Sequence, residues 1–271
     1  MIDNKLISMW KSGNPVLHGW LSIGNAFVAE IMAEQGFDAI SVDMQHGALD
    51  YSDLLPIFQA MRASGVVIGA RVPWLDPAMI MKVMDAGALQ VICPMINTPE
   101  QAAEFVSYLR YPPLGQRSFG PTRAHFVQGP NIAAEANAKV LGWAMVETKE
   151  AFDNLEAIAN TPGLDGIYVG PSDLTFSLLN GTVTPMLDPT HPTVIDALKR
   201  IVSVCKTAGI KSALHCATPE YAAQAVGWGF DMTTVGNDVR YLSLGAADAI
   251  KTYRDLLGQK TDPHGQKGSV Y

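Results

Sequence analysis

Cysteine is scarce in this chain, and so is charge. The three cysteines, Cys93, Cys205 and Cys216, are odd in number and form no Cys-x-x-Cys pair. That argues against a disulfide framework or a zinc knuckle and leaves each as a small buried apolar residue. Charged side chains make up 17% of the residues, and 19 basic against 26 acidic ones leave a net charge of −7. Such a balance argues against nucleic acid or an anionic membrane as the main partner. No apolar run reaches the roughly 18 residues of a membrane span, and the opening MIDNKLISMWKSG lacks the apolar centre of a signal peptide, so a cytoplasmic protein is expected. The phosphate cradles of nucleotide-binding chains are missing: no Gly-x-Gly-x-x-Gly follows a strand-like run and no Walker-type Gly-Lys-Ser/Thr loop occurs. No Gly-x-Ser-x-Gly elbow supports a serine hydrolase. A Schiff-base aldolase would want a lysine at the C-terminal end of a strand, whereas Lys211 begins its strand and Lys149 lies in the turn beyond Glu147.

What is present is apolar and regular. With 48% apolar residues in 271, the chain can bury one full core and is short for two α/β domains with linkers. Strand-like runs over 18–24, 38–44, 66–73, 89–95, 141–147, 164–170, 211–216 and 231–236 alternate with helix-period segments. The helices open on capping signals: Asn25, Asp76-Pro77, and Thr98-Pro99-Glu100. They are expected over about 26–35, 51–63, 77–86, 99–111, 131–139, 149–159, a short segment after Pro171, 192–208, 218–229 and 239–257. The beat breaks once, over 112–129 (PPLGQRSFGPTRAHFVQG), a loop of turn residues with two arginines. Eight strand-then-helix units predict an α/β chain folded as one closed (β/α)8 TIM barrel over 1–260, since an open doubly wound sheet normally uses five or six strands. The tail over 261–271 has no apolar face to bury and is expected to be disordered.

In such a barrel the reactive side chains stand at the C-terminal ends of the strands. Those ends carry Trp20, then Asp43 and His46, Arg71, Met95, Glu147, Asp173 and His215. Glu147 and Asp173 close consecutive parallel strands. They emerge at one end of the sheet as a hard-cation site, an acid/base pair, or solvated acids and helix caps. Oxygen donors without a ligand-spaced histidine or cysteine favour Mg²⁺, Mn²⁺ or a similar octahedral ion over structural zinc. Asp43 beside His46 is the arrangement that orients a general base, and Arg71 inside an apolar run needs an anionic partner, from Asp43, Glu147 or a substrate. Gly170-Pro171-Ser172-Asp173 opens a helix whose free backbone N–H groups suit a carboxylate or phosphate. Trp20 is a candidate pocket wall, while His215, His125, Arg117 and Arg123 either reach the mouth or serve elsewhere.

Together VDMQHG (42–47), GARVPWLDP (69–77), YPPLGQRSFGPTRAH (111–125), VET (146–148) and DGIYVGPSDL (165–174) resemble the HpcH/HpaI aldolase family over residues 15 to 257. The resemblance implies a pyruvate-domain TIM barrel and a divalent-metal-dependent class II pyruvate aldolase, with Mg²⁺, Mn²⁺ or Co²⁺ as cofactor. It matches Glu147 and Asp173 to the metal ligands and Arg71 to the arginine that steadies the enolate oxygen. His46 with Asp43 matches a dyad that moves protons through water. Ser172 and Asp173 match the N–H pair that holds the pyruvate carboxylate, and Trp20 matches a pocket residue. It also implies a homo-oligomer, often a hexamer, with neighbouring subunits completing the pocket. Gln45 stands where many members have Glu, Met145 where some have a pyruvate-contacting Gln, and His215 adds an imidazole at the mouth. The expected reaction is reversible retro-aldol cleavage of a 4-hydroxy-2-oxo acid to pyruvate and an aldehyde. The alternatives are another pyruvate-enolate lyase, an oxaloacetate decarboxylase, and a non-catalytic 2-oxo-acid-binding protein.

Overall fold

Short runs of buried, mostly small or branched residues form the strands, and each is followed by at least one helix. The computed structural model describes residues 4–259, so the expectation for the tail over 261–271 lies outside them. The strands are β1 (Val16–Leu21), β2 (Ala39–Asp43), β3 (Val67–Arg71), β4 (Gln90–Cys93), β5 (Leu141–Val146), β6 (Gly166–Val169), β7 (Lys211–Leu214) and β8 (Met232–Thr234). They pair in chain order, and β8 returns parallel to β1 with Val16 opposite Met232, so the sheet closes. This is the expected (β/α)8 barrel.

Local chemistry sets the helix starts. Asn25 Oδ1 accepts from the N–H groups of Phe27 and Val28, at 2.9 and 3.1 Å. Asp76, Thr98 and Thr218 cap their helices in the same way, each followed by a proline whose missing N–H costs nothing there. Strands buried on both faces feed two apolar layers. Ile40, Val42, Val91, Ile167 and Leu214 face the helices, together with Leu54, Phe58, Phe105 and Ile201. Trp20, Val67, Ile92, Trp143, Met145, Tyr168 and Met232 fill the barrel itself.

One end of the barrel is plugged. The helix Lys5–Lys11 lays a fully buried Leu6 against it, and Trp10 meets Trp143 edge-on at 5.9 Å and donates from Nε1 to the Asp231 carbonyl at 3.1 Å. Asn4 Nδ2 ties this plug to the carbonyls of Leu89 and Lys139. This helix carries no legible period in the sequence, because seven residues are too few to establish one. Two more departures are local. The helix expected over 149–159 breaks into Lys149–Asp153 and Leu155–Ala159, where Asn154 leaves the helical region and its Nδ2 donates to the Asn97 carbonyl at 2.9 Å. The loop over 112–129 contains a helix, Ala124–Gln128. Among the described residues no helix is long and apolar enough to cross a membrane.

Candidate active site

With the N-terminal end of the strands plugged, the open mouth is the C-terminal end, and a buried ion pair organises it. Asp43 ends β2 and Arg71 ends β3, opposite each other in register. Arg71 donates from Nε to Asp43 Oδ1 at 2.9 Å and from Nη2 to Oδ2 at 2.6 Å, a bidentate contact between two buried side chains. Trp20 Nε1 also donates to Oδ2, at 3.3 Å, and the guanidinium lies 5.0 Å from the Trp20 ring centre. Burial works to raise the Asp43 carboxyl, but the Arg71 charge and hydrogen bonds, with the N–H groups of His46 and Gln45, hold it below the usual range.

Asp43 meets His46 through the backbone N–H, at 3.2 Å, and its two oxygens are otherwise taken by Arg71, Trp20 and the Gln45 N–H. The expected orientation of the His46 imidazole by this carboxylate is therefore not the arrangement adopted. The residue is exposed in the loop after β2. Adjacency in sequence does not decide whether the ring or the backbone faces the acid.

Glu147 stands just past β5 and is 2% exposed. Its Oε1 accepts the Met95 N–H at 2.9 Å, and Met95 takes a left-handed φ of 56° to present it. Burial pushes the Glu147 carboxyl up to about 7, against the Met95 hydrogen bond, and the charge on Asp173 adds to the rise. Oε2 is left open. The neighbouring Gly170 makes room for it, since a Cβ there would stand 2.4 Å from Oε2 and 2.7 Å from Met145 Cε. Asp173 is exposed in the first turn of the helix Pro171–Leu178, which no side chain caps, so the N–H groups of Ser172 and Asp173 stay available. Met145 lies between, its sulfur 3.9 Å from Arg71 Nη1. Among the described residues no three His, Cys, Asp or Glu side chains converge. Glu147 and Asp173 stand beside each other at this mouth as two carboxylates. Two neighbouring carboxylates, one of them buried and raised by desolvation, are hard oxygen donors of the kind that fit a hard cation.

The model of the HpcH/HpaI aldolase/citrate lyase family matches residues 18–243. The chain belongs to that family. It is accordingly a carbon–carbon lyase. A hydroxypyruvate/pyruvate aldolase of Rhizorhabdus wittichii is 35% identical over 93% of this chain and 100% of its own length. A 4-hydroxy-2-oxovalerate aldolase of Novosphingobium aromaticivorans is 35% identical over 94% of this chain and 96% of its own. Among solved structures, an HpcH/HpaI aldolase/citrate lyase family protein of Burkholderia cenocepacia superposes with a TM-score of 0.84 at 31% identity, covering 93% of this chain and 99% of that one.

Not every candidate of this HpcH/HpaI member reaches the mouth of its own barrel. Arg123 donates to the carbonyls of Ala86 and Phe58, and Arg117 pairs with Asp85 at 2.8 Å, so the loop arginines sit at the N-terminal end of the strands. Lys149 forms an exposed pair with Asp153 and Lys211 pairs with Asp231, so neither is placed as a Schiff-base nucleophile. His215 does join the mouth. Its ring packs edge-on to Trp20 at 4.6 Å, and Nδ1 lies 3.0 Å from the hydroxyl of the fully buried Tyr168. Gln45 sits beside the ion pair with Oε1 buried and unpartnered. Sequence reasoning missed Tyr168, Met95 as a donor, and Gly170 as the space beside Glu147. Only Gly170, in a glycine-proline turn at a strand end, carried a signal that could have flagged it.

Proposed function

We propose that the chain is a divalent-metal-dependent pyruvate aldolase that reversibly cleaves a 4-hydroxy-2-oxo acid to pyruvate and an aldehyde. The observation that carries this reading is the pairing, across one barrel mouth, of the buried Glu147 carboxyl beside Asp173 with a guanidinium already fixed by Asp43. The names of the relatives above support pyruvate as the shared half. Glu147 and Asp173 would hold the ion, Mg²⁺, Mn²⁺ or Co²⁺, and a cation there supplies Lewis-acid polarisation of the 2-oxo group.

The remaining work falls to side chains and backbone. The uncapped N–H groups of Ser172 and Asp173 bind the substrate carboxylate. Arg71 keeps Nε and Nη2 on Asp43 and leaves Nη1, against the Met145 sulfur, to the oxygen that becomes negative as the C3–C4 bond breaks. The His46 ring, which Asp43 does not engage, takes the C4 hydroxyl proton through water. Trp20 closes the floor and keeps water off the guanidinium.

The test is pyruvate release from a racemic 4-hydroxy-2-oxo acid before and after EDTA, with each metal added back. Loss with EDTA and recovery with metal is expected. Pyruvate production that ignores EDTA would sink the metal reading, and release only from oxaloacetate would replace the aldolase with a decarboxylase.

We also infer a homo-oligomer, the hexamer that the family resemblance implies. The helix Asp238–Leu256 buries only Asp238, while Leu242, Ile250 and Tyr253 are 67%, 53% and 64% exposed. With Val239, Ala246 and Leu257 these recur every three or four residues, one apolar stripe without a partner among the described residues. Burying each large side chain against a second copy would contribute about 1.5–3 kcal/mol. Light scattering of the L242E/Y253E protein should give a smaller assembly than the parent; an unchanged mass would remove this stripe from the interface. The three free cysteines are buried and unpaired, which supports a reducing, cytoplasmic setting.

A further inference from the structure

Pyruvate chemistry, as read above, accounts for Glu147, Asp173, Arg71 and the turn at Ser172. It does not account for His215. This residue follows β7, and its N–H extends the ladder to β6 by donating to the Val169 carbonyl. The ring is fixed on two sides. Trp20 meets it edge-on at 4.6 Å, and Tyr168, wholly buried beneath it, places its hydroxyl 3.0 Å from Nδ1.

The proton positions follow from the partners. Burial holds the Tyr168 phenol well above its usual pKa, so it keeps its proton. The nearby Thr234 hydroxyl already donates to the Cys216 carbonyl and accepts the Cys216 N–H, so the phenol's proton is best spent on Nδ1. Nδ1 is then the acceptor, and Nε2 carries the ring's hydrogen. Burial and the Arg71 charge keep the imidazole uncharged. Among the described residues Nε2 makes no hydrogen bond, and it is not one of the buried unpartnered atoms. The mouth therefore holds an oriented, neutral N–H donor that the substrate carboxylate and 2-oxo oxygen do not require.

We propose that His215, positioned by Tyr168, determines aldehyde specificity by donating from Nε2–H to a hydroxyl oxygen on the aldehyde half of the substrate. The proposal rests on the pyruvate aldolase reading and names the class of aldehyde it takes: hydroxylated rather than alkyl. A neutral donor suits an uncharged oxygen, whereas a second cation beside Arg71 would select a carboxylate. A site built to pair such an oxygen rejects the analogue that lacks it, because the donor is left desolvated and unpaired.

The experiment compares glycolaldehyde with propanal, which have equal numbers of heavy atoms, as acceptors for pyruvate in the Mg²⁺-loaded full chain. The variants are H215L, H215N and Y168F. Wild type should prefer glycolaldehyde. In H215L the ratio of kcat/KM for glycolaldehyde over propanal should fall about 10- to 100-fold. H215N retains an N–H donor and should recover part of that ratio, and Y168F, which frees the ring without removing it, should fall between. A fall of equal size for both aldehydes, or an unmoved ratio, overturns the proposal. Exchange of the pyruvate methyl protons with deuterated water, measured on wild type, separates the two levels of argument. Exchange with an unmoved ratio defeats the His215 role alone, whereas no exchange and no aldol product defeats the aldolase reading and this proposal with it.

Discussion

Replacing Glu147 by Gln is expected to abolish turnover and, at the same time, to raise the melting temperature of the metal-free protein at pH 8. The two effects have one cause. Glu147 is 2% exposed, and burial lifts its carboxyl from 4.5 to about 7. Below pH 4.5 it is protonated in both folded and unfolded chains and costs nothing. Between 4.5 and 7 the unfolded chain ionises while the folded one still holds its proton, so stability falls as pH rises. Above 7 both are ionised and the whole penalty stands, about 3 kcal/mol on this shift. Gln keeps an oxygen for the Met95 N–H and cannot ionise. E147Q should therefore melt several degrees higher than wild type in EDTA at pH 8, and nearly level with it at pH 5. Its aldol turnover should drop by about a thousandfold or more, because a divalent cation loses its anionic anchor and with it several kcal/mol of charge stabilisation. Adding Mg²⁺ should narrow the stability gap at pH 8 by stabilising only the parent. Melting curves that show no pH-dependent gap would mean that Glu147 is not strained by burial and has no need of a cation to offset its charge.

Much of the barrel was legible because its signals are local. Runs of buried residues, the Asp76-Pro77 and Thr98-Pro99 helix starts, and glycines after helices each depend on near neighbours, and eight repeats of them leave one closed topology. The same buried strands hide which residues look inward. Tyr168 and Val169 both read as apolar strand residues, yet Tyr168 fills the barrel and Val169 faces the helices. Strands covered on both faces lack the polar alternation that would have separated them. The site shows the same limit. That Asp43, Arg71 and Glu147 stand at strand ends follows from strand boundaries, but the commitment of Asp43 to Arg71 instead of the His46 ring depends on side-chain geometry. Arg123 shows it from the other side. An aperiodic loop gives no clue to the end of the barrel it packs on, and this one packs on the end opposite the mouth.

The Asp43–Arg71 pair yields the second large effect, and its size depends on which partner is removed. Asp43→Ala leaves a guanidinium that is 8% exposed without a carboxylate, and also strips the Gln45 and His46 N–H groups and Trp20 Nε1 of their acceptor. Removing one partner of a buried pair costs about 3–5 kcal/mol. Arg71→Met leaves Asp43 with those three donors, so its charge stays partly satisfied and the loss should be smaller. In the double variant D43A/R71M neither charge is stranded, and stability should recover to above that of D43A alone, giving a favourable coupling in a denaturant-melt cycle. Activity should not recover with it. Arg71→Lys keeps a positive charge but loses the planar fork, so kcat should fall about 10²- to 10³-fold while KM changes much less, as expected for a group that acts on charge developing after binding. A change confined to KM would make Arg71 a ground-state binder. If R71M proved costlier than D43A, the guanidinium would be the structural anchor of the mouth and Asp43 the dependent partner, reversing the order of roles argued from the hydrogen bonds.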